Sequence, residues 1–204
     1  MKIKKAAMFG LDARIALAIF GALSVISGAA LYSAIQQANV TKVARTFVEI
    51  ENATTAYILD VGVDLPNNGR YADAHAITKS TAEGWQGPYF EGEQVTTSTN
   101  MTVPSLGKDA WISILRQQDV DLGNVEKTIL TDCATGLNNC HYWIKAYTSA
   151  LGFGDTLDLV NNLDEYFDGS DGLDKGKIRY TYYMDGSTAK PIVYYKMFPV
   201  LTQP

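Results

Sequence analysis

IALAIFGALSVISGAALYSAI, residues Ile15 to Ile35, is an apolar stretch of 21 residues. The uncharged run continues to Thr41. An α-helix of 21 residues is about 31 Å long, enough to cross the hydrocarbon core of a bilayer. The stretch therefore predicts a membrane-spanning helix close to the N-terminus.

The charges on either side of this stretch predict its orientation. Lys2, Lys4, Lys5 and Arg14 precede it, and the first positive residue after it is Lys42. Positive residues before a first span favour a cytoplasmic N-terminus. We therefore expect a single pass through the bacterial inner membrane, with the rest of the chain periplasmic or extracellular.

The predicted location outside the inner membrane affects the expected redox state of the two cysteines, which lie in the segment DCATGLNNC. Compartments outside the bacterial inner membrane are oxidising, so a disulfide between Cys133 and Cys140 is expected. Two free thiols are the alternative.

A helical pattern continues beyond the apolar stretch. Apolar or weakly polar residues recur at spacings of three and four, which places them on one seam of a helix: Val40, Val43, Phe47, Ile50, Thr54, Tyr57 and Val61. The first helix-ending signal is Gly62. We predict one helix from about Leu11 to Val61, whose second half packs on the chain's own domain.

A cleaved signal peptide is the alternative interpretation of the N-terminus. Ser27-Gly28-Ala29 offers a small-x-small cleavage site. Signal peptides, however, have apolar cores of about 7–15 residues, followed by loop-like sequence. The longer stretch here and the helical pattern after it favour an anchor.

The remaining chain, residues 63–204, predicts a small antiparallel sheet. His141–Tyr147 alternates as a strand, and Ile178–Met184 and Ile192–Phe198 form an aromatic hairpin stabilised by cross-strand packing. Asp155–Phe167 predicts a helix with Asp155 as its N-cap. Periodicity leaves Leu106–Gln118 open between a strand and a short helix. The expected class is α+β.

Composition excludes several function classes. The 204 residues carry a net charge of −5, which argues against a nucleic-acid partner. The two histidines, His75 and His141, belong to no HExxH motif, and neither GxSxG nor a Walker A loop is present. We therefore expect no catalytic residues.

A glycine-rich acidic segment, NNLDEYFDGSDGLDKGK, is a candidate calcium site. Its carboxylates are Asp164, Asp168, Asp171 and Asp174, and calcium prefers several oxygens on flexible backbone. The segment does not match the EF-hand pattern. A solvated acidic turn with aspartate caps is the alternative.

The N-terminal layout resembles the type IV pilin and pseudopilin family. The signature is a short basic leader ending in glycine, MKIKKAAMFG, followed by an uncharged helix that continues into a globular domain. The segment Gly84-Trp85-Gln86-Gly87-Pro88-Tyr89 is similar to the Trp-Gly-Pro-Tyr loop of many pseudopilins.

The resemblance implies a set of roles for individual residues. Prepilin peptidase would cut between Gly10 and Leu11, and Leu11 would become an N-methylated N-terminus. Position five after the cut, usually Glu in the family, is Ile15 here, which favours a minor or tip subunit. Asp12 is the candidate to pair with a neighbouring subunit's amine, and capping of the helix by Asp12 is the alternative.

Two functions follow from this layout. In the first, residues 1–10 are a leader, 11–62 a long helix with a transmembrane half at 15–35, and 63–204 a pilin-like globular domain. The chain would be a filament subunit of a type IV pilus or a type II secretion pseudopilus. Its partners would be other pilin-like subunits, prepilin peptidase and inner-membrane lipid. In the second, the chain stays uncleaved as a single-pass anchored binding or adhesion domain.

Overall fold

A computed structural model describes residues 4–95, 99–107, 110–123, 133, 139–151 and 157–201. The chain is α+β, with one long N-terminal helix and an antiparallel sheet. It divides into two compact units, Met1–Thr41 and Lys42–Pro204.

The long helix, α1, runs from Lys4 to Val61 without interruption. It begins seven residues before the predicted Leu11, because Lys, Ala and Met all favour helix and a single glycine, Gly10, costs only about 1 kcal/mol. It ends where predicted. Gly62 has φ 77°, and its N–H donates to the Ile58 carbonyl at 2.8 Å, which closes the last turn.

The second half of α1 buries the predicted seam within its own unit. Val43, Phe47, Ile50 and Tyr57 are all at most 2% exposed. Thr54 is also buried, and its hydroxyl is satisfied by the Ile50 carbonyl at 2.8 Å. This seam forms one side of the core.

The sheet forms the other side. Within the described residues it has seven strands: β1 Asn67–Asn68, β2 Tyr71–Ala72, β3 Met101–Thr102, β4 Trp111–Gln118, β5 Cys140–Tyr147, β6 Ile178–Asp185 and β7 Thr188–Pro199. Their order is β1-β2-β4-β5-β7-β6, with β3 beside β4, and every pair is antiparallel. Two 3₁₀ helices, Ala74–Ile77 and Asp119–Asp121, and one α-helix, α2 Asp158–Asp168, complete the described elements.

The structure defines the bounds of three predicted elements. The open segment 106–118 contains the strand β4. The hairpin turn is only Gly186-Ser187, since Asp185 pairs with Thr188, so β7 begins four residues before the predicted Ile192. The helix α2 begins at Asp158 with Leu157 at its N-cap, which corrects the prediction of Asp155 there; Asp155 lies outside the described residues.

Side chains cover both faces of the sheet. On one face the ring of Tyr195 in β7 lies 5.6 Å from that of Phe47 in α1. On the other face a second buried cluster forms. Its members are Leu115, Leu122, Trp143, Ile192 and Tyr194. Alternate residues of β7 therefore pack into two different cores.

Candidate functional site

The apolar stretch Ile15–Ile35 is helical and exposed along its whole length within the unit Met1–Thr41. Exposure of its large side chains ranges from 50% at Ile35 to 73% at Val25. The helix is long and apolar enough to span a membrane. Exposed apolar surface of this extent marks a contact with lipid or with other protein.

The predicted processing residues lie near the start of α1. Gly10 and Leu11 are both inside the helix, and a Cβ built on Gly10 meets nothing within 4 Å. Asp12 is exposed and forms no ion pair with another described residue. Because α1 begins at Lys4, Asp12 does not cap the helix in the uncleaved chain.

The tryptophan loop, Gly84–Tyr89, docks on the C-terminal end of α1. The Tyr89 hydroxyl donates to Asp60 at 2.7 Å and accepts the Gln86 N–H at 2.8 Å. A Cβ on Gly84, whose φ is 85°, would lie 2.4 Å from the Asp60 carbonyl oxygen. Only glycine fits this approach. Trp85 packs edge-on against Tyr89 at 5.8 Å.

A second junction holds the segment after α1 to the sheet. The Tyr142 hydroxyl on β5 donates to Asp64 at 2.9 Å and accepts the Leu65 N–H at 3.0 Å. Asp64 also accepts the Leu201 N–H at 2.8 Å. Burial and the Asp64 carboxylate raise the pKa of the Tyr142 phenol, so it remains a donor at neutral pH.

The two cysteines are joined in the structure. Cys133 and Cys140 form a disulfide with their Cα atoms 6.0 Å apart, and Cys140 is buried at the start of β5. His141 follows it on the sheet, and burial together with the charge of Lys196 lowers the pKa of its imidazole.

Three of the four predicted metal-binding carboxylates meet. Oxygens of Asp164, Asp168 and Asp171 lie within 4.8 Å of one another. Asp164 is 5% exposed; its Oδ2 accepts the Gly172 N–H at 3.4 Å, whereas its Oδ1 is buried without a hydrogen-bond partner. Burial first, and then the neighbouring carboxylates, raise the pKa of Asp164. The orphaned oxygen is the feature that a bound cation would satisfy.

Asp168 and Asp174 have clear structural roles as well. Asp168 accepts the N–H groups of Lys177 and Ile178, each at 2.8 Å, and so ties the end of α2 to β6. Asp174 does not join the carboxylate group. Its backbone carbonyl instead accepts a hydrogen bond from Arg179.

Cations stack on aromatic rings along the sheet face opposite α1. Arg179 and Lys196 both lie 5.8 Å from the Trp143 ring, and both pair with Asp119, at 3.0 and 2.9 Å. Farther along β5, Lys145 lies 5.4 Å from the Tyr147 ring. The sequence predicts the strand aromatics of the hairpin as packing residues. It does not predict this face, because the residues of the face come from distant parts of the chain.

Comparison of the chain with family models, curated proteins and solved structures finds no match. A function for this chain is therefore inferred from the geometry of these sites and from the resemblance of its N-terminal segment to the pilin and pseudopilin family.

Proposed function

We propose that the chain is a filament subunit of the type IV pilin and pseudopilin kind, in a type IV pilus or a type II secretion pseudopilus. One observation carries the proposal. A single helix, α1, combines a fully exposed apolar half at Ile15–Ile35 with a second half whose apolar seam is buried in the chain's own domain. A helix that packed only in its own domain would not carry a second half that is apolar and exposed.

The exposed half has two environments in this proposal. Before assembly it spans the inner membrane, with the N-terminus cytoplasmic because the preceding residues are basic. During assembly it leaves lipid for a bundle of neighbouring helices. That transfer gains little hydrophobic energy, so close packing and polar pairs must hold the bundle. Ala18, Ala22 and Gly21 supply exposed small surfaces for such packing.

Cleavage of the leader creates the N-terminal amine that pairs with Asp12 of a neighbouring subunit. Cleavage after Gly10 makes Leu11 the N-terminal residue and places Asp12 beside the new positive helix terminus. Asp12 then meets the amine of a neighbouring subunit, in the role that position five has in most of the family. The apolar Ile15 at position five suits a minor or tip subunit.

We also propose that Asp164, Asp168 and Asp171 bind a calcium ion. Three carboxylates with a backbone-rich loop suit the six to eight oxygens that calcium takes. The observation in favour is the buried, unpartnered Oδ1 of Asp164. The ion would stabilise the loop between α2 and β6.

Processing of the N-terminus tests the main proposal. The full chain is expressed in cells with active prepilin peptidase, extracted from membranes and measured by intact mass. We expect the loss of residues 1–10 and one added methyl group at Leu11. Retention of Met1–Gly10 contradicts the proposal and favours the uncleaved, anchored binding domain.

A matched pair of variants makes this test specific. A Cβ has open space at both Gly10 and Gly21, so valine at either position leaves the packing of the chain unchanged. Gly10→Val should block processing because it alters the cleavage site, whereas Gly21→Val should still be cut. Processing of Gly10→Val at the normal rate would count against the proposal even if the wild-type chain were shortened.

A further inference from the structure

The strand β6 lies at one end of the sheet order, with β7 as its neighbour among the described strands. The Lys196 N–H donates to the carbonyl of Lys177, just before β6, at 2.7 Å. Backbone groups alternate in direction along an antiparallel strand, so odd-numbered residues of β6 face β7 and even-numbered residues face outward. The register agrees with this direction, because Pro191, which has no N–H, stands opposite the even-numbered Tyr182.

The first half of this sheet edge is already covered. The outward N–H of Ile178 donates to the carboxylate at the end of α2 at 2.8 Å, and that of Tyr180 donates to the Leu173 carbonyl at 3.1 Å. Within the described part of the chain, nothing accepts a hydrogen bond from the outward N–H groups of Tyr182 and Met184. We call the segment Tyr182–Met184 the open edge. An unpaired strand edge is a template for another strand, and native proteins usually cover it.

The side chains of the open edge are also exposed. Tyr182 is 40% exposed, Tyr183 53% and Met184 49%. Ile178 pairs with Tyr195, whose ring packs on α1, so the even-numbered side chains lie on the α1 face of the sheet and Tyr183 lies on the other face. Three consecutive exposed apolar side chains are out of place on a protein surface unless they make a contact.

The covered half of the edge limits the strand that can be added. That strand must end opposite Tyr180, because Leu173 already holds the outward N–H there. A second copy of β6 in antiparallel orientation meets this limit. Gly186 of the second copy falls opposite Tyr180, and Gly186, with φ 61°, has left the strand for the hairpin turn. The open edge is therefore as long as the segment that a second copy can place on it.

One register uses the open backbone groups of both copies. With Tyr183 on the two-fold axis, Tyr182 of each copy pairs with Met184 of the other, and each such pair exchanges both N–H···O=C bonds. A register centred on Tyr182 sets Met184 against Tyr180, whose N–H is occupied. A register centred on Met184 sets Tyr182 against Gly186 in the turn.

We propose that the open edge pairs in this register with the same segment of a second copy of the chain. Tyr183 then meets its own counterpart on one face, and a tyrosine ring meets a methionine thioether on the other, both favourable contacts. The open edge carries no charge, so the pairing opposes no like charges there despite the net charge of −5. The contact is isologous and closes on two copies. It is therefore separate from the packing of α1 in a filament and does not rest on the proposed function.

Cysteine cross-linking of the full chain in detergent tests the pairing and its register. Tyr183→Cys places two thiols at directly opposed positions with Cα atoms about 4.5 Å apart, within the range of a disulfide. Tyr182→Cys is the matched control, because its two thiols occupy diagonal positions about 7–8 Å apart, beyond that range. After oxidation with copper phenanthroline, we expect a doubling of mass on a non-reducing gel for Tyr183→Cys and at most a trace for Tyr182→Cys. Association of the membrane helices would affect both variants equally.

A mixture of two variants tests the same register with Tyr183 intact. Tyr182→Cys and Met184→Cys, carrying tags of different size, should cross-link to each other, because these positions are opposed with Cα atoms about 5.5 Å apart. The absence of cross-linked dimer in both experiments overturns the proposal, as does equal dimer from Tyr182→Cys alone. If the open edge instead takes a strand of a different protein, the purified variants stay monomeric, which also overturns it.

Discussion

The phenol of Tyr195 donates a hydrogen bond to Glu51 Oε2 at 2.5 Å, which joins β7 to α1. Lys177 Nζ lies 3.3 Å from the same phenol oxygen and 3.9 Å from Glu51. Burial and this carboxylate raise the pKa of the phenol, so the bond persists at neutral pH. The bond holds the second half of α1 in register with the sheet.

Loss of this hydroxyl should destabilise the unit Lys42–Pro204. We expect Tyr195→Phe to lower its free energy of unfolding by about 1.5–3 kcal/mol, the usual range for a hydrogen bond to a charged group. Urea denaturation followed by tryptophan fluorescence measures the change. Tyr182→Phe is the control, since Tyr182 is 40% exposed, and a loss equal to that of the control would contradict the role assigned to Tyr195.

Gly84 should tolerate no side chain, for two separable reasons. Gly84→Ala combines a φ of 85° with a Cβ only 2.4 Å from the Asp60 carbonyl oxygen. Gly62→Ala is the matched control, because its φ is 77° but its Cβ meets nothing within 4 Å. Gly62→Ala should cost about 1 kcal/mol and Gly84→Ala clearly more, as measured by urea midpoints. Equal costs would show that the tryptophan loop does not press on α1.

Lys145 should lower stability at neutral pH. Burial lowers its pKa, so between that lowered value and the ordinary value of about 10.4 the unfolded chain binds more protons than the folded chain. Stability of the wild type should therefore rise with pH across this window, relative to Lys145→Met. Lys145→Met should be more stable than the wild type at pH 7, and the difference should shrink by pH 10.

The difference in stability between the wild type and Lys145→Met does not depend on other titrating groups. The buried tyrosines titrate at high pH in both proteins, so their contribution cancels in the difference. Lys79→Met, at an exposed position, should differ from the wild type by an amount that does not depend on pH. If the effect of Lys145→Met is equally independent of pH, burial of Lys145 does not lower the stability of the fold.

The sequence predicted α1 well because its signal is local and continuous. Seam residues such as Phe47 and Ile50 recur at helical spacing, and Gly62 marks the end. The sequence did not decide between a strand and a short helix for β4, because Ile112, Ser113, Ile114 and Leu115 are buried in succession. Such a run shows no alternation, and it arises when both faces of a strand are covered.

Other features depend on contacts that no local pattern encodes. Pro191 lies inside β7, a strand that has a neighbour on each side. Proline lacks the N–H that a central strand usually needs, so the predicted strand began after Pro191. Asp174 resembles its neighbours in sequence, but its backbone is engaged by Arg179, and its carboxylate stays outside the acidic group. The stacking of Arg179 and Lys196 on Trp143 depends on the strand order, which no local pattern encodes.

Calcium should stabilise the acidic loop through Asp164. At about 100 times its dissociation constant, a ligand that binds only the folded state adds about 2.7 kcal/mol, so calcium should raise the Tm of the full chain and EDTA should reverse the rise. Asp164→Asn should abolish the shift and raise the metal-free Tm, because three mutually repelling carboxylates become two. Asp174→Asn, outside the group, should keep the full shift. A calcium shift that survives Asp164→Asn, or that Asp174→Asn removes, would place the ion elsewhere and leave the buried Oδ1 without a cation.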